Sequence, residues 1–336
     1  MKTEAMSRLR FSVGLSDIHP RAGGSPPPER RSPLRPTAAL AETFALLKQI
    51  GISAVQFYDD DLVPDIDSSS ATQIMAGTRR VKQLLDDHGL AAESVVPRLP
   101  HSSPATDSAF DLRNSAGREY AIDRALRAVD LCREIGCDLL GLWNVGEQRL
   151  NAGGRYMIER LNCILDYDTT IRVFIKPWPV ELIGRGSVPT IGCAAAPADE
   201  TIDPRRVGGV IESAEATRAG LDPADEMAAA LSLGKLFAVR LNDRDEASGV
   251  HGRRQGLKQL RVLVENKYGT RGEYVGLDVQ AGGTQSVELH YRQLVNTLQR
   301  VQLLEQELGT ATGHVDVDSE YGYTDAWLQD RNRMST

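Results

Sequence analysis

Eight short runs of apolar and β-branched residues recur along this chain, beginning near Arg10, Ile52, Ala91, Cys137, Ile171, Val207, Leu236 and Tyr274. Long amphipathic segments separate most of them, and strands spaced in this way pair in parallel, because parallel neighbours need a long crossover. The stretches 37–50, 70–89, 115–136, 154–167, 222–233, 253–267 and 287–308 carry apolar residues at three- and four-residue spacing, which predicts helices. The segment 180–205 reads as mostly irregular, so the fifth unit has no clear helix. Gly51, Gly89, Gly136 and Gly234 each follow a helical pattern directly, where a left-handed residue closes a helix before the next strand. Eight such units predict an α/β chain closed into a (β/α)8 TIM barrel, with a doubly wound open sheet as the alternative. The chain's 336 residues suffice for one large domain of this kind. We assign a single barrel to 1–309 with a Pro-rich loop at 20–37, and a C-terminal tail to 310–336.

The formal charge of −7 comes without a basic stripe interleaved with aromatics, which argues against nucleic acid as a partner. No apolar run reaches the roughly 18 residues of a membrane span. Met1-Lys2-Thr3-Glu4 lacks the profile of a secretion signal, so the chain reads as cytoplasmic and unattached to membrane. Cys132, Cys137, Cys163 and Cys193 have no zinc-type spacing and apolar or small neighbours, so all four are expected to be buried reduced thiols.

In a parallel barrel the loops after the strands converge on one face, where the chemistry sits. Reading the ends of the runs gives Ser16 and Asp17, Asp59 to Asp61, Pro97 and Arg98, Trp143 and Glu147, Lys176 and Trp178, Glu212 and Glu215, Arg240 with Asn242 and Asp243, and Asp278 with Gln280. Lys176, Glu212, Arg240 and Asp278 end strands five to eight, and the two cations are expected to pair with the two carboxylates. A divalent ion wants a cage that is negative before it binds, so these four are not expected to hold one, and no cofactor is expected. Glu212, Glu215, Asp245 and His251 have the ligand chemistry for magnesium or manganese if a metal is used at all.

Lys176 has two open roles: neutral, it is a base or a Schiff-base former; charged, it holds a developing oxyanion. The bland alternative is a salt-bridge network that plugs the mouth. Asp61 is either a proton shuttle or sugar-hydroxyl acceptor, or a cap for the loop it opens. Trp143 is either a stacking wall or a core aromatic. His19 and His101 lie in Pro-flanked loops on the same face, whereas His88, His290 and His314 read as helix-end or tail residues.

The segment Phe57-Tyr58-Asp59-Asp60-Asp61-Leu62-Val63-Pro64 resembles the Phe-His-Asp-Asp-Asp-Leu-Ile-Pro of the xylose isomerase family. Phe174-Ile175-Lys176-Pro177-Trp178-Pro179 is similar to that family's Glu-Pro-Lys-Pro, and Ala219-Gly220-Leu221 and Gly234-Lys235-Leu236-Phe237 match its segments around strand seven. The resemblance runs from about Arg10 to Asp278 and implies a xylose isomerase-like barrel that interconverts aldoses and ketoses with two divalent ions. It also implies departures. Of four metal-holding carboxylates Glu212 and Asp278 are kept, while Lys176 and Arg240 stand at the other two. Tyr58 stands for the ring-opening histidine, with its partner Asp61 present; Trp178 stands for a lysine, and Glu215 for a metal-binding histidine. Trp143 is a kept pocket aromatic, Ser16 replaces another, and the tetramer-forming arm is reduced, which leaves a homodimer as the expected assembly.

The expected function is a diverged, metal-independent isomerase that binds a small sugar or other polyhydroxy carbonyl compound and works by proton transfer. Its expected catalytic residues are Lys176, Glu212, Arg240, Asp278 and Asp61; Tyr58, Trp143, Trp178, Asn242 and His101 bind substrate. The alternatives are a non-catalytic sugar-binding or regulatory barrel, a metal-dependent isomerase or epimerase with a remodelled site, and a Schiff-base lyase at Lys176.

Overall fold

Strands β1 (Phe11–Gly14), β2 (Ala54–Tyr58), β3 (Ala91–Val96), β4 (Leu139–Leu142), β5 (Arg172–Ile175), β6 (Val207–Glu212), β7 (Leu236–Asn242) and β8 (Val275–Asp278) pair in parallel in chain order, and β8 closes on β1. The structure is a computed structural model and describes residues 9–18, 37–99, 115–143, 154–176, 190–242, 250–278 and 303. The expected (β/α)8 barrel is therefore the observed fold, and the open sheet is not. Each strand begins within three residues of the position read from the sequence.

The helices are α1 (Leu15–Ile18), α2 (Thr37–Ile50), α3 (Asp59–Leu62), α4 (Ala71–His88), α5 (Ser115–Ile135), α6 (Gly154–Tyr167), α7 (Gly192–Asp199), α8 (Ser213–Arg218), α9 (Pro223–Ser232) and α10 (Val250–Glu265). The long ones match the periodicity. In α4, Ile74, Thr78, Val81 and Leu85 fall on one buried stripe. Its start is a capping box in which Gln73 N–H donates to Ser70 Oγ at 3.3 Å and Ser70 N–H donates to Gln73 Oε1 at 2.8 Å. Gly89 closes α4 at φ 61°, a left-handed conformation that costs a glycine little. The other three expected stops, Gly51, Gly136 and Gly234, also have positive φ.

Two expectations fail here. The segment 180–205 contains α7, which Pro197 inside Gly-Cys-Ala-Ala-Ala-Pro-Ala-Asp disguised as a breaker. Cys163 is exposed and Cys137 half-buried; of the described thiols only Cys132 is buried, and all three are free. The apolar spacing of α6 placed Cys163 beside the core without fixing which way its side chain faces. Most of the Pro-rich loop, the helix at 287–308 apart from Leu303, the tail, His19, His290 and His314 lie outside the described residues, as does the side chain of Cys193.

The main apolar core lies between barrel and helices, with Phe44, Phe57, Leu85, Leu131 and Leu140 fully buried. A second, smaller cluster of Val96, Leu139, Phe174, Val210, Phe237 and Ala238 fills the barrel itself, and Tyr58 and Trp143 pack on it. No helix among the described residues is long and apolar enough to cross a membrane.

Candidate active site

Side chains two apart on a strand share a face. Because Phe174, Val210 and Ala238 belong to the inner cluster, Lys176, Glu212 and Arg240 continue their rows on the inner face toward the carboxyl ends of β5, β6 and β7. Lys176 extends β5 by one rung, its N–H donating to Leu142 O at 2.9 Å. Its Nζ lies 2.8 Å from Glu212 Oε2 and 4.3 Å from the centroid of the Trp143 ring. The Tyr58 ring meets Trp143 edge-on at 5.1 Å, and the Arg98 guanidinium carbon lies 3.8 Å over Tyr58. A connected set of cation, aromatic, aromatic, cation and carboxylate, Arg98, Tyr58, Trp143, Lys176 and Glu212, thus lines the mouth at the ends of β2 to β6.

Burial and three carboxylates act on Lys176 in opposite directions. Burial pulls its ammonium down, but Glu212, Glu215 and Asp278 together outweigh burial and hold it above its ordinary range. The raised ammonium favours the charged form of Lys176 at neutral pH. Trp143 presents one face to that cation, and its buried indole N–H has no hydrogen-bond partner among the described residues.

The aspartate run divides its work. Asp59 is fully buried and accepts two bonds from Arg124 of α5, at 2.6 and 3.0 Å, and the N–H groups of Asp60 and Arg98 at 2.8 and 3.0 Å. Burial pushes its carboxyl up and Arg124 opposes that push. Asp60 pairs with Arg98 Nε at 2.8 Å. Asp61 accepts the Tyr58 N–H at 3.0 Å, across the first turn of α3, so the cap is the geometry observed for it. The run reads as the lock that fastens the β2 end to β3 and α5.

Arg240 departs from expectation. Instead of pairing with Glu212 or Asp278 in the described ion pairs, its guanidinium reaches into the barrel, 2.9 Å from Glu93 Oε2 and 3.2 Å from Ser12 Oγ, and bonds Gln56 Oε1 as well. Both members of the ion pair are buried. The β2–β3 register shifts between Val55 and Gln56, which pair with Ala92 and Ser94, so Glu93 is the extra residue of a bulge. Gly276, paired with Arg240 on β8, makes room for the guanidinium, since a Cβ there would overlap it. Sequence reasoning missed Glu93, Gln56 and Ser12; the signal available was one charge inside the apolar strand Ala91–Val96, which burial obliges to find a partner.

Glu215 sits in α8 and pairs with Arg218 one turn on. Trp178, His101, Asp245, Asp243, Glu147 and Gln280 lie outside the described residues, as do the side chains of Asp17, Asn242 and His251. Among the described residues no three His, Cys, Asp or Glu side chains are grouped to hold a metal ion. The described part of the mouth does not fit a divalent ion held by carboxylates, because an ammonium already stands on Glu212 and is stabilised by Glu215 and Asp278.

The model of the xylose isomerase-like TIM barrel family matches residues 44–271. Among solved structures, the chain is similar to a D-psicose 3-epimerase determined in the presence of D-fructose, with 12% identity over 88% of this chain and 99% of that one and a TM-score of 0.63. It is also similar to the 3-keto-D-glucoside 4-epimerase from E. coli in its apo form, with 12% identity, 87% and 99% coverage and a TM-score of 0.59. A xylose isomerase-like TIM barrel/4-hydroxyphenylpyruvate dioxygenase fusion protein matches 97% of this chain at 15% identity and a TM-score of 0.57, and the chain spans 45% of its length. At these identities the structures bear on the fold. With the family model covering more than half of the chain and the closed barrel beneath it, this protein belongs to the xylose isomerase-like TIM barrel family.

Proposed function

We propose that this barrel moves a proton on a small sugar or other polyhydroxy carbonyl compound without a metal, as an isomerase or epimerase. The observation that carries the reading is the Lys176 ammonium 2.8 Å from Glu212 in the mouth. Abstracting a proton beside a carbonyl builds negative charge on the carbonyl oxygen, and a positioned cation in a partly dry site stabilises that charge. Lys176 donates to the carbonyl oxygen, and Glu212, drawn against it, takes the carbon-bound proton. Asp278 keeps Lys176 charged, and the Trp143 indole N–H is a donor for a substrate hydroxyl. Arg240 supports the site from below through Glu93. The likeness in fold to proteins named as sugar epimerases favours a sugar as substrate.

The test is exchange of solvent deuterium into the carbon-bound positions of D-fructose and D-psicose by chelator-treated protein. Exchange above the protein-free rate supports the reading, and none across a panel of ketoses and aldoses refutes it. One observation favours a second reading, a non-catalytic sugar-binding barrel: Lys176 and Glu212 already satisfy each other. That reading predicts calorimetric binding of a sugar without exchange.

A further inference from the structure

Proton transfer between carbons needs a second group, because a proton must also leave one substrate oxygen and reach the other. Tyr58 ends β2 at the mouth, with its ring edge on Trp143 and Trp143 in turn under the Lys176 ammonium. Arg98 follows β3, is anchored by its own N–H on Asp59 Oδ1 at 3.0 Å and lays its guanidinium over the Tyr58 ring. We propose that Tyr58 is the second proton-transfer group of this mouth, with Arg98 positioned to stabilise its phenolate. The proposal rests on the reading of Lys176 and Glu212 given above.

The balance of atoms is complete. Glu212 takes the carbon-bound proton while the Tyr58 O–H gives its proton to the carbonyl oxygen held by Lys176, leaving an enediol and a phenolate. The phenolate then takes the proton of the neighbouring hydroxyl as Glu212 returns its proton to the neighbouring carbon, and both residues recover their starting forms. The phenolate that exists between the two steps needs a nearby cation.

The charges around Tyr58 favour it. Burial works against the Arg98 guanidinium, but Asp60 and Asp61 outweigh burial and hold it charged. Two carboxylates oppose a phenolate. Asp60 is engaged with Arg98 Nε at 2.8 Å, and Asp61 accepts the Tyr58 backbone N–H at 3.0 Å. Lys176 adds a second cation across Trp143.

The experiment is an ultraviolet titration of tyrosinate in the intact chain, paired with the deuterium-exchange assay on D-fructose. The chain has nine tyrosines, so the difference between the unsubstituted protein and Tyr58→Phe isolates one phenol. We expect it to ionise below the ordinary phenol range, to move back up in Arg98→Met, and to move less in Arg98→Lys, which keeps the charge. Tyr58→Phe should lower exchange by at least about tenfold. A Tyr58 phenol that titrates at or above the ordinary value, or full exchange in Tyr58→Phe, overturns the proposal and leaves Lys176 and Glu212 standing. No exchange by the unsubstituted protein on D-fructose or any other sugar of the panel overturns both, and that result appears before any substitution is made.

Discussion

Lys176 is the residue on which the account turns, because its charge decides the chemistry. Three carboxylates favour its charged form, and the proposed role is that of a fixed cation rather than a base. Lys176→Met should therefore lower deuterium exchange by on the order of a hundredfold or more while the fold survives, as removal of one oxyanion donor does elsewhere. Full exchange in that variant contradicts the role. Borohydride should trap no substrate on Lys176, since an amine held charged does not attack a carbonyl. The residues of the mouth were legible in the sequence, because strand ends can be counted and Lys176, Glu212 and Asp278 fall on them. Arg240 was read at the right strand, but its partner Glu93 was not foreseen. The direction of a long side chain depends on the space that Gly276 leaves and on the carboxylate at Glu93, and neither is visible at position 240.

At the scale of elements, the buried pair ties β7 to β3 across the barrel, and Ser12 and Gln56 add β1 and β2. Removing one member strands the other charge in the interior. Arg240→Met should cost about 3–5 kcal/mol in urea unfolding, and adding Glu93→Met should restore much of the loss, because the desolvation cost then disappears from both sides. Equal destabilisation by the double variant would contradict the pairing. A second link joins the end of α6 to β5, where buried Asp168 accepts Thr170 N–H at 2.6 Å, Ile171 N–H at 2.9 Å and the Arg133 guanidinium. Burial raises the Asp168 carboxyl, but these bonds outweigh it and hold the group well below the usual carboxylate range. Its folded value lies below its unfolded value of ~3.9, so its contribution is fully present above the unfolded value and fades as pH falls through the folded one. Asp168→Asn should lower stability at neutral pH by about 2 kcal/mol and flatten the acid side of the stability curve. An unchanged acid limb would show that Asp168 is not depressed. Legibility differed between elements as well. Long amphipathic helices such as α2 and α6 were read to the residue because their stripes span several turns. The single-turn α1 and α3 and the Pro-interrupted α7 carry too few residues to show a period.

At the scale of the molecule, the repeated strand–helix alternation implied a parallel sheet covered on both faces, which a closed barrel or a doubly wound open sheet can supply, and the sheet is closed. The small inner cluster and the polar pair beneath the mouth then share the barrel interior. In the proposed mechanism the cation that faces the substrate belongs to the chain, with Lys176 standing where the family resemblance would put a metal-holding carboxylate. The most direct test is elemental analysis of the purified protein after dialysis against manganese or magnesium, combined with the deuterium-exchange assay on D-fructose before and after chelation. The account predicts far less than one bound metal per chain and exchange that chelation leaves unchanged. Near-stoichiometric metal, with exchange that chelation abolishes and manganese or magnesium restores, would contradict it.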